Sequence, residues 1–151
     1  LEVTWIPSYG PEMRGGTANC TVVISHEEIG SPLVRHPRGA VVFNGPSLDK
    51  YEPEVAVGGV LVVNCSLASR SVTRADLQVV RVAGSRLAEA LGEPKLTNMV
   101  LLGALLGALP LLPLEAVEQA LEVHLPARHR GLLAANSRAL RAGQAAARQP
   151  A

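Results

Sequence analysis

An α/β fold, a mostly parallel sheet flanked by helices with a helical C-terminal end, is what this sequence predicts. Three observations carry that expectation. The runs Val41-Val42-Phe43 and Leu61-Val62-Val63 are apolar at every position, which suits strands covered by helices on both faces and placed centrally in a sheet. Strand-like segments come first and helical ones last. The composition is 48% hydrophobic and 18% charged, as in a globular domain rather than a disordered segment. A length of 151 residues suits one domain, 1–151, with a real core.

Val3-Thr4-Trp5-Ile6 reads as a short strand, stopped by Pro7 and the Gly10-Pro11 pair. The loop Ser8-Tyr9-Gly10-Pro11-Glu12-Met13-Arg14-Gly15-Gly16 follows, and Ala18 to Ser25 forms a second strand. After a turn at Gly30-Ser31-Pro32, Ala40 to Phe43 is a third strand ending at Asn44-Gly45-Pro46. Ser47 to Val55 is a short helix limited by Pro53. Gly58-Gly59 opens a fourth strand, Val60 to Val63, which again ends in an asparagine, Asn64. Val79 to Val82 is a fifth. A helix capped by Ser85 runs to Leu91 and is stopped by Gly92 and Pro94. Three helical segments complete the chain: Leu96 to Leu109, apolar nearly all round; Leu114 to His124, with Leu114, Val117, Leu121 and Leu125 on one face; and the Ala- and Arg-rich Arg128 to Arg148.

Composition excludes several function classes. The formal net charge of +1 argues for neither a nucleic-acid nor a strongly acidic partner. Cys20 and Cys65 are too few for an iron–sulfur cluster or a disulfide scaffold, and are expected as buried, reduced thiols of a cytoplasmic protein. The uncharged run Met99 to Leu114 is interrupted by Pro110 and Pro113. It falls short of the ~20 apolar residues a spanning helix needs, so it is expected inside the protein. His26, His36, His124 and His129 show no metal-ligand spacing. Neither a Gly-x-Ser-x-Gly elbow, nor a phosphate-binding P-loop, nor a complete dinucleotide fingerprint occurs.

The loop from Ser8 to Gly16 is the least generic stretch. It follows a strand, where α/β domains place ligand sites. Gly10, Gly15 and Gly16 permit close backbone approach, and Arg14 suits a phosphate or carboxylate. The plainer reading is an ordinary connection with a Glu12–Arg14 pair, and spacing alone slightly favours it. Asn44 and Asn64 are expected at one sheet edge, where an amide can serve a ligand or a loop backbone. For Asn44 turn formation is the stronger reading; Asn64, followed by Cys65-Ser66, is the better site candidate. Gly103 and Gly107, beside Ala104 and Ala108, let another backbone approach the apolar helix.

Ser8-Tyr9-Gly10-Pro11-Glu12-Met13-Arg14-Gly15-Gly16-Thr17-Ala18-Asn19-Cys20 resembles the signature of the gamma domain of 2-oxoacid:ferredoxin oxidoreductases. Gly30-Ser31-Pro32, Asn44-Gly45-Pro46-Ser47-Leu48, Gly58-Gly59-Val60, Asn98-Met99-Val100, Leu102-Gly103-Ala104, and Asn136 with Ala139-Leu140 and Gly143 extend the resemblance over nearly the whole chain. The Pro-Glu-Met-Arg-Gly-Gly form is most similar to the 2-oxoglutarate type. Pyruvate-type members carry a more basic loop, and indolepyruvate-type members carry Gln before Arg-Gly-Gly. One departure stands out: the βα unit with a Gly-Gly-Gln-Gly-like loop that opens the family domain is missing, so the sequence is expected to start at the family's second strand.

The resemblance implies a non-redox gamma subunit, inactive alone, in a cytoplasmic heteromeric complex that oxidatively decarboxylates a 2-oxoacid to an acyl-coenzyme A. It implies no catalytic residue and no metal or cofactor bound by this chain alone. Thiamine diphosphate, Mg and iron–sulfur clusters would sit on partner subunits, coenzyme A would be the co-substrate, and ferredoxin would be reached through the complex. Ser8, Tyr9, Gly10, Glu12, Met13, Arg14, Gly15, Gly16, Asn44 and Asn64 would face coenzyme A, the substrate or the catalytic subunits. A membrane or nucleic-acid partner is not expected. Two other classes stay open. A stand-alone coenzyme- or nucleotide-binding module would need the missing glycine loop. A purely structural packing module would leave the polar Ser8–Gly16 loop without a purpose.

Overall fold

The structure is a computed structural model and describes residues 1–9 and 18–148. The chain divides into two compact units, Leu1–Pro37 and Arg38–Ala151.

The first unit is built on a β-ribbon. Strand β1 (Glu2–Tyr9) pairs antiparallel with β2 (Ala18–Ser25), in register from Glu2 opposite Ser25 to Tyr9 opposite Ala18. The strand expected to end at Ile6 therefore continues three residues further, through Pro7 to Tyr9. Each strand of a two-stranded ribbon uses only alternate N–H groups, so a proline at an outward position costs no ladder bond. Antiparallel pairing follows from the short connection, because a parallel crossover needs a dozen or more residues. The ribbon also explains why Cys20, expected buried, is exposed: it points to the open face of an alternating strand.

The second unit carries a three-stranded parallel sheet, order β3-β4-β5, formed by β3 (Gly39–Val42), β4 (Val60–Asn64) and β5 (Gln78–Val82). Every residue of β4 is buried. Val60 and Val62 join Val80 and Val82 in a core beneath the larger helices, while Leu61 and Val63 pack with Val42, Leu48 and Val55 on the opposite face. Helix α1 (Gly45–Tyr51), extended by a 3₁₀ turn at Glu52–Glu54, covers that opposite face through Leu48.

Central placement holds for Leu61-Val62-Val63 but not for Val41-Val42-Phe43. Among the described residues β3 pairs only with β4, and Phe43 lies beyond the strand with 40% of its surface exposed. An apolar run reports cover above and below a strand; it does not report a lateral neighbour.

Helices α2 (Gly84–Ala90), α3 (Thr97–Ala108), α4 (Leu114–His124) and α5 (Leu133–Ala147) follow. The apolar α3 is buried where the sheet, α4 and α5 converge: Val100, Leu101 and Ala104 face the sheet core, and Leu106 meets Leu114 and Leu140. Its small residues admit α5. A Cβ at Gly103 would fall 2.7 Å from the carbonyl carbon of Leu140, and one at Gly143 would fall 2.7 Å from that of Val100. Arg128 does not begin an α-helix as expected. Residues Ala127–Leu132 form a 3₁₀ segment, with Pro126 before it and Gly131, a poor helix former, within it. Helix α2 starts at Gly84 rather than at a Ser85 cap, for a reason that lies in the site. None of the described helices is long and apolar enough to cross a membrane.

Candidate functional site

Two places combine polar side chains with structural constraint: the C-terminal edge of the parallel sheet, and the crossover between β4 and β5.

At the sheet edge the parallel register aligns Val42 with Val63 and Asn64 with Val82, so the ends of all three strands lie side by side. Asn44 and Asn64 both sit there. The Asn44 side-chain oxygen accepts the Ser47 backbone N–H at 3.0 Å and caps α1, with Pro46 in the first turn of the helix. Asn64 is fully buried. Its side-chain nitrogen donates to the Phe43 carbonyl at 3.2 Å and to the Ser85 hydroxyl at 3.1 Å. Its side-chain oxygen accepts the backbone N–H groups of Ser66 and Ser85, each at 3.4 Å. One amide thus ties the end of β3 to the end of β4 and to the first turn of α2. The oxygen of Asn64 does for α2 what a Ser85 cap would have done. Cys65, expected buried, is half-buried just beyond this clamp, in the turn where the chain leaves the sheet. Asn64 is engaged within the fold through both its nitrogen and its oxygen, and Asn44 through its oxygen.

The crossover holds a cluster that the sequence reading does not single out. Glu52 is 2% exposed. One carboxylate oxygen accepts the Thr73 N–H at 2.6 Å, the Thr73 hydroxyl at 2.7 Å and the Arg74 N–H at 3.0 Å; the other accepts from Arg70 at 2.6 Å. Burial alone would raise its pKa. The hydrogen bonds from Thr73, Arg70 and Arg74 outweigh that and hold the carboxyl at about 2, against an ordinary 4.5. Arg70 also pairs with Asp49 at 2.5 Å, and its own pKa rises because both carboxylates bind it. Arg74 pairs with Asp76 and donates to the carbonyls of Glu52 (3.1 Å) and Val55 (2.5 Å). A surface pocket of about 270 Å³ opens beside Glu52, Pro53, Arg70, Thr73 and Arg74. Charges of both signs neutralise one another there, and the arrangement fixes a long crossover onto α1. The only sequence signals for it are a Glu before Pro53 and two arginines four apart, features that many loops share.

A second pocket, about 440 Å³, lies between α4 and α5 beside Glu115, Glu118 and Glu122. Arg141, at 2.6 Å, and the Ser137 hydroxyl bind Glu118 and lower its pKa. Among the described residues no group of three His, Cys, Asp or Glu side chains could hold a metal ion.

Of the loop expected to carry the site, Ser8 and Tyr9 end β1; Ser8 is exposed and lies opposite Asn19. Gly10, Glu12, Met13, Arg14, Gly15 and Gly16 lie outside the described residues.

The parallel sheet, the helices on both its faces and the terminal α5 match the fold of known gamma subunits. The family model for pyruvate ferredoxin/flavodoxin oxidoreductase matches residues 1–146, and the chain belongs to that family. It is 34% identical over 127 residues to the 2-oxoglutarate synthase subunit KorC of Methanocaldococcus jannaschii, covering 83% of this chain and 68% of that protein. It is 39% identical over 103 residues to the ketoisovalerate oxidoreductase subunit VorA of Methanothermobacter marburgensis, covering 68% of this chain but 21% of the relative. The chain therefore spans about a fifth of VorA.

Among solved structures, the gamma subunit of the keto/oxoacid ferredoxin oxidoreductase from Geobacter sulfurreducens superposes with a TM-score of 0.79 at 26% identity, covering 97% of this chain and 80% of that one. The 2-oxoglutarate:ferredoxin oxidoreductase of Magnetococcus marinus, solved with 2-oxoglutarate, coenzyme A and succinyl-CoA bound, gives 0.82 at 18% identity. It covers 99% of this chain and 26% of that one, and shows the fold alone.

Proposed function

We propose that this chain is the gamma-type part of a thiamine-dependent 2-oxoacid:ferredoxin oxidoreductase that converts 2-oxoglutarate to its acyl-coenzyme A. The observation that carries the reading is the extent of the gamma-subunit likeness. It runs along 97% of this chain and 80% of the Geobacter subunit, so the likeness is to a whole subunit rather than to a shared motif. In this reading thiamine diphosphate, Mg and the iron–sulfur clusters belong to partner polypeptides in a cytoplasmic complex. This chain would supply an α/β body, with the Ser8–Gly16 loop facing coenzyme A or the catalytic polypeptide. Asn44 and Asn64 fix the sheet edge of the second unit.

A second substrate has its own support: the higher identity to VorA favours the branched ketoisovalerate, while the longer KorC alignments favour 2-oxoglutarate. The test is co-purification followed by assay. The chain should bring down polypeptides that carry thiamine and iron. With coenzyme A the complex should reduce ferredoxin or a viologen dye faster on 2-oxoglutarate than on ketoisovalerate, and the isolated chain should leave the dye unreduced. Sustained turnover by the isolated chain, or absence of thiamine- and iron-bearing partners, rejects the assignment; a preference for ketoisovalerate rejects only the substrate.

A further inference from the structure

Asn44-Gly45 is the one Asn-Gly step in the sequence, and the fold does not demand a glycine there. Gly45 has no positive φ, and a Cβ built on it meets nothing within 4 Å. What the missing Cβ leaves unhindered is the Gly45 backbone nitrogen, the atom that can attack the side chain of the asparagine before it. In that reaction a bond forms from the Gly45 nitrogen to Cγ of Asn44, and the bond from Cγ to the amide nitrogen breaks. Ammonia leaves, carrying the proton that the Gly45 nitrogen gives up. Water then opens the five-membered imide at one of its two carbonyls. Opening at Cγ leaves aspartate; opening at the main-chain carbonyl leaves isoaspartate, whose chain continues through Cγ. Asparagine counts among the thermolabile residues. Asn44 is exposed, so water reaches it.

We propose that Asn44-Gly45 is a latent deamidation site, held closed by the cap of α1 and opened when the first turn of that helix lifts. Backbone geometry carries the first half. With ψ of Asn44 at 175°, the Gly45 nitrogen is anti to the Asn44 nitrogen and therefore staggered from Cβ, whereas the imide ring needs it eclipsed. Closing the ring turns the peptide plane between the two residues and draws Cγ inward. That motion breaks two hydrogen bonds: Ser47 N–H to the Asn44 side-chain oxygen, and Leu48 N–H to the Asn44 carbonyl, each at 3.0 Å. Leu48 is fully buried and anchors the turn. The products differ in consequence. Aspartate keeps an acceptor oxygen and ranks with asparagine as an N-cap, so α1 survives. Isoaspartate inserts a main-chain carbon between α1 and the Phe43 carbonyl, which Asn64 holds at 3.2 Å. The cap and the sheet-edge clamp then no longer share one register.

Peptide mass spectrometry tests the proposal on the whole chain, incubated at mildly alkaline pH either folded or in urea. Conversion of Asn44 should be at least about tenfold slower in the folded chain, because local opening must precede attack. In urea, where the cap is gone, Asn44 should convert faster than Asn19, which cysteine follows. Gly45→Ala should bring the urea rate at Asn44 down towards that of Asn19. Its melting midpoint should not fall below wild type, since the added methyl meets open space and stiffens the unfolded chain. Folded chains that have formed isoaspartate should lose exchange protection at Ser47, and those that have formed aspartate should keep it. Equal rates for the folded and the urea-treated chain overturn the protective role of the cap. Wild-type conversion of Gly45→Ala in urea, or no conversion of Asn44 there beyond that of Asn19, overturns the assignment of the site.

Discussion

Gly103 in α3 lies against the main chain of Leu140 in α5, so closely that a Cβ on the glycine would sit 2.7 Å from the Leu140 carbonyl carbon and 2.9 Å from its Cα. The contact is reciprocal, because Gly143 in α5 meets the main chain of Val100 in α3 in the same way. Neither obstacle is a side chain that could swing aside. Adding even one methyl must push the helices apart and loosen Val100, Ala104, Ala139 and Leu140, all fully buried.

Gly103→Ala and Gly143→Ala should therefore each destabilise the fold by about 1–3 kcal/mol through overpacking. Gly107→Ala should cost less, because its nearest neighbour, the Gln144 carbonyl oxygen, is 3.1 Å from the new Cβ. Urea melts of the three variants check the order. Equal midpoints for Gly103→Ala and wild type would mean that the helices are farther apart than described.

Acid should release the crossover. The Glu52 carboxyl has a folded pKa of about 2, below its ordinary 4.5. A depressed folded value contributes stability that is complete above pH 4.5 and disappears as pH falls towards 2. The shift is worth up to about 3 kcal/mol. Stability measured from pH 5 to pH 2 should fall along that window, and Glu52→Gln should be less stable near neutrality with a flatter acid limb. Parallel curves for the two proteins would show that Glu52 is not the group involved.

Asn64→Ala should cost about 1–3 kcal/mol or more, because it leaves the Phe43 carbonyl and the Ser85 N–H without their partner beside a fully buried position. Asn64→Asp keeps the acceptor but loses the donor to Phe43 and Ser85, and should be destabilised as well. Hydrogen exchange should quicken at Ser66 and Ser85 in Asn64→Ala but much less in Asn64→Asp, which keeps the acceptor for both N–H groups; wild-type exchange rates in Asn64→Ala would contradict the clamp.

Periodicity and punctuation made much of this fold legible. Leu114 to His124 and Ala18 to Ser25 have the bounds expected of them, because an amphipathic repeat and a β-branched run each end at clear signals. Gly103 and Gly107 announced a close backbone, but nothing in their spacing could name Leu140 or Gln144 as what they meet. The antiparallel ribbon was recoverable from the length of the connection between its strands, a constraint that residue type does not display. The Glu52 cluster was not recoverable, since its partners Arg70, Thr73 and Arg74 lie 18 to 22 residues away in a crossover without periodicity. Asn64 was legible as a strand-end polar group, but not as a side chain whose hydrogen bonds are already used within the protein.

Arg14 carries the last prediction. In the sequence it lies between Glu12 and the Gly15-Gly16 pair. A guanidinium there suits a coenzyme A phosphate, which it can hold with two parallel hydrogen bonds. Arg14→Lys keeps the charge and removes the planar fork. Losing one charge-assisted hydrogen bond, about 1.5 kcal/mol, should raise the KM for coenzyme A by about tenfold in the assembled enzyme. The KM for the 2-oxoacid, the melting midpoint and the subunit content should stay unchanged. A complex that instead dissociates at lower salt assigns Arg14 to the subunit interface, where screening weakens a charge pair. Unchanged kinetics together with unchanged assembly would remove Arg14 from the site and leave the Ser8–Gly16 loop as a simple connection between β1 and β2.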